Sequence, residues 1–154
     1  MDVYHEYGMV PFQHRKDLDI TLQILKEKYP AFAQTADSYM QSETAHECNM
    51  FIMKKEIYKN YCAWLFDILF EAEKRIDSIW YSVEEYRVMG YLAERLCGIY
   101  YEWLKTQPGI RAGELPKTLF KETAPKAVLE PVYPAGVPIV LSANDKFSPY
   151  LDIM

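Results

Sequence analysis

The pattern that most constrains this chain runs from Lys54 to Arg75. Ile57, Tyr61, Trp64, Leu65, Ile68 and Ala72 recur at three- and four-residue spacing, the period of a helix that buries one face. Tyr58, Cys62, Phe66, Leu69 and Phe70 widen that stripe beyond half the circumference. A single packing partner cannot cover so broad a stripe, so the helix is expected to lie between two layers. Glu71, Glu73, Lys74 and Arg75 read as an ordinary solvated last turn.

The flanking segments supply further helices. Leu18, Leu22 and Leu25 share a face from about Asp17 to Lys28, with Asp17 placed to cap and Tyr29-Pro30 to stop the helix. Pro30 suits the first turn of a second helix, with Phe32, Ala36, Tyr39 and Met40 in register. Ser42 to Glu47 reads as a loop. Met50 to Met53 is an apolar run too short for a helix by itself, and the polar residues before it favour a buried strand. Ser82 caps a last long helix running to about Lys105, with Glu84 and Glu85 placed to meet its dipole and Pro108-Gly109 ending it.

Beyond that helix the pattern changes. Residues 106–136 are Pro-rich and read as a linker. Residues 137–143 then read as a buried strand, followed by Asn144-Asp145 and a helical start through 148–154. A lone strand has no sheet to join, so the expectation is a piece of a larger protein.

Charge and composition exclude several classes. A net charge of −5 without a basic stripe argues against nucleic-acid binding. The longest apolar runs fall short of a bilayer span, and the N-terminus has no signal-peptide pattern. An odd number of widely spaced cysteines, Cys48, Cys62 and Cys97, points to reduced buried thiols in a cytoplasmic protein. Thirteen tyrosines suit a semi-polar cleft or an interface, or a core that uses Tyr where Phe would serve.

Chemistry concentrates on the last helix. At about 100 degrees per residue, Arg87, Tyr91, Glu94 and Gly98 fall in one sector, flanked by Gly90 and Tyr101 on one side and Arg95 on the other. A glycine inside a helix costs about 1 kcal/mol against alanine, so Gly90 and Gly98 call for close approach by a ligand or another backbone. One reading has Arg87 or Arg95 binding an anion and Glu94 accepting a hydrogen bond from a hydroxyl. The other is a solvated face of spaced Arg–Glu pairs. Asp17-Leu18-Asp19 matches a metal-holding Asp-x-Asp, but no strand precedes it, and capping explains Asp17 better. His5, His14 and His46 are too scattered for a zinc site, so no metal ligand is assigned. Asn144-Asp145 suits either a nucleotide at a strand end or a turn.

Residues 14–20, 27–30, 48–57, 61–70 and 87–96 resemble, in order, a bacterial capsular and exopolysaccharide biosynthesis family. That family is defined by a glycosyltransferase-like domain of unknown function. The resemblance implies an α/β fragment, mainly helical, with long amphipathic helices and one or two short strands. It would be the C-terminal part of a GT-A-like nucleotide-sugar transferase domain over residues 1–105. Residues 137–154 look like the start of a second domain similar to family 8 glycosyltransferases.

The same resemblance implies Glu94 as the catalytic carboxylate facing the acceptor, with Arg87, Arg95, Tyr91 and Asn49 binding substrate. Asn144 and Asp145 would meet the second domain's nucleotide. The expected partners are a nucleotide-sugar and a glycan acceptor, with self-association through exposed aromatic faces. The complete enzyme would use divalent Mn or Mg, and this chain alone no cofactor. It would work in the cytoplasm, peripheral to the inner membrane, and the isolated chain would be inactive. A noncatalytic helical adaptor is the rival reading.

Overall fold

The computed structural model describes residues 1–46 and 48–114, and the helices all lie in one unit, Met1–Ala112. Among the described residues five α-helices follow one another: α1 (Val3–Tyr7), α2 (Arg15–Lys28), α3 (Ala33–Met40), α4 (Lys55–Arg75) and α5 (Val88–Lys105). Short 3-10 turns, Pro30–Phe32 and Glu85–Arg87, lead into α3 and α5. The mainly helical expectation holds.

The marked faces are buried in large part: Leu22 on α2 and Ile57 on α4 stay half-buried, while Ile24 is buried in addition. α2 buries Leu18, Ile24 and Leu25; α4 buries Tyr61, Trp64, Leu65, Ile68, Leu69 and Ala72; α5 buries Val88, Leu92, Leu96, Ile99, Tyr100 and Leu104. α2, α4 and α5 pack against one another, α3 lies along α5, and α1 rests on α3. Aromatic side chains fill one end of this core. Phe32 stacks on Trp103 at 4.3 Å and on Trp64 at 5.0 Å, with Tyr100 at 5.9 Å. The 3-10 turn that Pro30 starts therefore plants Phe32 between α4 and α5.

Polar contacts clamp α2 to α4 where the two helices cross. Lys28 Nζ lies 2.6 Å from Asp67, whose other oxygen accepts the Tyr29 hydroxyl at 2.8 Å. Arg75 bridges Glu27 at 2.8 Å and Glu71 at 2.9 Å. These bonds hold the Asp67, Glu27 and Glu71 carboxyls below their ordinary range. Burial and the Asp67 carboxylate push the Tyr29 hydroxyl up to about 12.

Five local expectations change. Residues 50–53 form no strand, and no strand occurs among the described residues. Ile52 is 82% exposed, while Phe51 turns in to meet Tyr61 at 5.3 Å. With no neighbouring strand to pair, the run serves as an extended lead into α4. Cys48 and Asn49 both take positive φ (73 and 46 degrees), so a tight turn directly precedes it.

Asp17 does not cap α2, because the helix starts at Arg15 with His14 at the cap, and Asp17 is fully buried in the first turn. α5 opens through a 3-10 turn rather than at Ser82 directly. Ser82 still organises that turn, because its N–H donates to Glu85 Oε2 at 2.7 Å and its Oγ accepts the Glu85 N–H at 3.3 Å, a capping box. Finally, Cys48 is exposed and Cys62 and Cys97 are half-buried, so none is a core thiol.

α4 is also covered on one side only. Tyr58, Phe66 and Phe70 stay exposed, so no second layer covers them among the described residues.

Candidate functional site

A polar junction in the helical unit lies where α1 and the start of α2 meet residues 81–95. Two pairs from distant parts of the sequence stitch it together. His14 Nε2 lies 2.7 Å from Glu85 Oε1, and the Tyr81 hydroxyl donates to Asp17 Oδ2 at 2.7 Å. The His14 and Tyr81 rings touch at 4.9 Å, so the pairs form one cluster, and Lys16 Nζ lies 5.3 Å over the Tyr81 ring. Hydrogen bonds from Ser82 and then His14 hold the Glu85 carboxyl below its usual range, keeping it ionised at neutral pH.

Beneath this layer the groups are enclosed. Asp17 and Tyr7 are fully buried and Arg95 is 3% exposed. The Arg95 guanidinium sits 5.7 Å over the Tyr7 ring. Burial, and then the Asp17 carboxylate, push the Tyr7 hydroxyl far up, with Arg95 opposing. Burial and the bond to Asp17 do the same to Tyr81. Among the described residues the Tyr7 hydroxyl, Asp17 Oδ1, and Arg95 Nε and Nη1 are buried with no hydrogen-bond partner. Burying charge costs several kcal/mol per ion by general estimates, so an Asp and an Arg this deep mark an unusual interior.

The residues that the sequence singles out from Arg87 to Arg95 have different surroundings. Arg87 is exposed and lies 5.9 Å over the half-buried Tyr91, whose hydroxyl donates to the Glu84 carbonyl at 3.2 Å. Glu94 is half-buried, and its charge adds to the burial that raises the Cys97 thiol. Arg95 points inward. Asn49 is exposed in the turn before α4, and Asn144 and Asp145 lie outside the described residues.

Gly98 and Gly90 have different reasons. A Cβ on Gly98 would collide with the Tyr39 ring, whereas one on Gly90 would meet nothing. The close approach at Gly98 is thus to α3 of the same chain.

Asp17 and Asp19 diverge as well. Asp17 is sealed under Tyr81, while Asp19 is exposed and accepts the Tyr4 hydroxyl at 2.9 Å. The two carboxylates do not converge on one ion, so this Asp-x-Asp does not fit the divalent metal expected of the complete enzyme.

His14, Tyr81 and Glu85 were not singled out by sequence as a site. Their contacts span 71 and 64 residues, and only Ser82-x-x-Glu85 left a local signature.

Comparison with known proteins gives this geometry a family. Residues 1–106 match the model of a domain of unknown function, DUF4422. The chain belongs to the DUF4422 family. It is also similar to a solved structure described as the WbbM bifunctional glycosyltransferase in its apo form, with 30% sequence identity and a TM-score of 0.75. That match covers 89% of this chain and 24% of the WbbM chain, so this DUF4422 protein spans about a quarter of its structural relative. No curated protein matches. The family and the relative together place the chain in a glycosyltransferase-related group. No described helix is long and apolar enough to cross a membrane.

Proposed function

We propose that this DUF4422 chain forms the acceptor-side wall of a glycosyltransferase active in assembling a capsular, exopolysaccharide or lipopolysaccharide glycan. The complete enzyme transfers a sugar from a nucleotide-sugar donor to a glycan hydroxyl. The observation that carries this reading is the 30% identity to a bifunctional glycosyltransferase over 89% of the chain.

The chemistry needs an acceptor hydroxyl held in line with the donor and charge stabilisation for the departing diphosphate. Just ahead of α5, Arg87 is exposed enough to meet an anion, and on α5 Glu94 keeps enough surface to accept a hydroxyl hydrogen bond. Arg95 acts from within the wall, through Tyr7. The pair Asp17 and Asp19 offers no metal cradle, so no step is assigned to a metal on this chain.

The test is nucleoside diphosphate release coupled to glycan elongation. The natural gene product carrying this sequence is expected to turn over a nucleotide-sugar, and the isolated 154-residue chain is not. Turnover by the isolated chain, or none by the gene product with any of a panel of UDP-, GDP- and CMP-sugars, overturns the reading.

A further inference from the structure

Resting on that reading, we propose that His14 is the base that takes the proton from the acceptor hydroxyl. The argument begins with orientation. Glu85 is fixed by the Ser82 N–H and held ionised, and it meets His14 Nε2 at 2.7 Å. An ionised carboxylate accepts and does not donate, so Nε2 carries the hydrogen, and in the neutral ring the lone pair is on Nδ1. A carboxylate that fixes one imidazole nitrogen while the other faces substrate is the arrangement of a general base.

The surroundings fit the task. The His14 side chain is 37% exposed, so substrate can reach it, and Tyr81 packs against its ring. Tyr81 is itself fixed by Asp17, a fully buried carboxylate with one oxygen unpartnered, beside the buried Arg95 and Tyr7. Asp17 thus fixes the ring that packs against His14, which gives this buried carboxylate a purpose beyond packing.

In the step, the acceptor O–H bond breaks as its proton passes to His14 Nδ1. The acceptor oxygen attacks the anomeric carbon. The bond from that carbon to the diphosphate oxygen breaks, and the nucleoside diphosphate leaves with the electron pair. Direct displacement inverts the anomeric centre. The imidazolium returns its proton to water after the product departs.

The experiment compares the wild-type natural gene product with His14→Ala and His14→Gln. Transfer from the nucleotide-sugar that the wild type uses should fall roughly 10²- to 10⁴-fold in both variants, the usual contribution of a general base. Added imidazole should restore much of the rate of His14→Ala, and the product should be inverted. Variants that keep rates within about threefold of wild type, or a retained anomeric configuration, remove His14 from the role and leave the transferase reading standing. A wild type that transfers nothing overturns both.

Nitrogen NMR of the 154-residue chain adds a test independent of variant folding. The expected His14 tautomer bears hydrogen on Nε2, and a proton on Nδ1 at neutral pH overturns the assignment.

Discussion

At the scale of single residues, the two α5 glycines separate packing from ligand binding. A Cβ at Gly98 meets the Tyr39 ring, which is pinned by the His46 N–H donating to its hydroxyl at 2.9 Å. Gly98→Ala should therefore destabilise the chain by about 1–3 kcal/mol, the range for overpacking a filled site. Gly90→Ala meets open space in a helix and should stabilise it by about 0.5–1 kcal/mol. Urea melts of both variants decide the matter. Equal effects would contradict the packing account of Gly98.

The sequence marked both glycines as anomalous but could not say what approached them, since Tyr39 lies on another helix. Asp17 was harder to read. Its place ahead of an apolar run is a capping signal, and only the contact from Tyr81 reveals a buried carboxylate. His14 escaped notice for the same reason. Nothing near it in sequence announces Glu85.

At the scale of elements, helix periodicity was legible and strand pairing was not. Most of the buried face of α4 follows from spacing, because a helix closes its own hydrogen bonds. The apolar run at 50–53 needed a partner strand, which no local pattern can supply. The clamp between α2 and α4 gives this scale its pH behaviour.

Asp67, Glu27 and Glu71 have folded pKa values below their unfolded ones, so their contribution is complete above the ordinary carboxylate range. It is lost as pH falls through that range, near about 4, and below. Thermal midpoints should stay level from pH 7 to 5 and then decline. Asp67→Asn should lower the midpoint at pH 7 and flatten the decline, and an unchanged slope would count against the clamp.

Phe32 binds the same elements from the apolar side. It is 7% exposed and stacks on rings of both α4 and α5. Phe32→Ala should cost about 3–5 kcal/mol in chemical denaturation, and a loss under about 1 kcal/mol would show that the aromatic end contributes little.

At the scale of the whole molecule, the helical unit carries exposed aromatic side chains among its described residues. Phe66 and Phe70 stack on each other at 5.8 Å, 48% and 59% exposed, and Trp80 is 91% exposed. The broad stripe on α4 was expected to lie between two layers, and the exposure of Phe66 and Phe70 corrects that reading among the described residues. A helical adaptor would also present such faces, which is why the polar junction, rather than the apolar surface, carries the functional argument.

That junction gives the account its most direct test: amide NMR of the labelled chain, titrated with oligosaccharides released from the source organism's own surface glycan. Shifts concentrated at His14, Lys16 and residues 81–87 are predicted. Shifts confined to Phe66, Phe70 and their neighbours, or none at millimolar glycan, would contradict it.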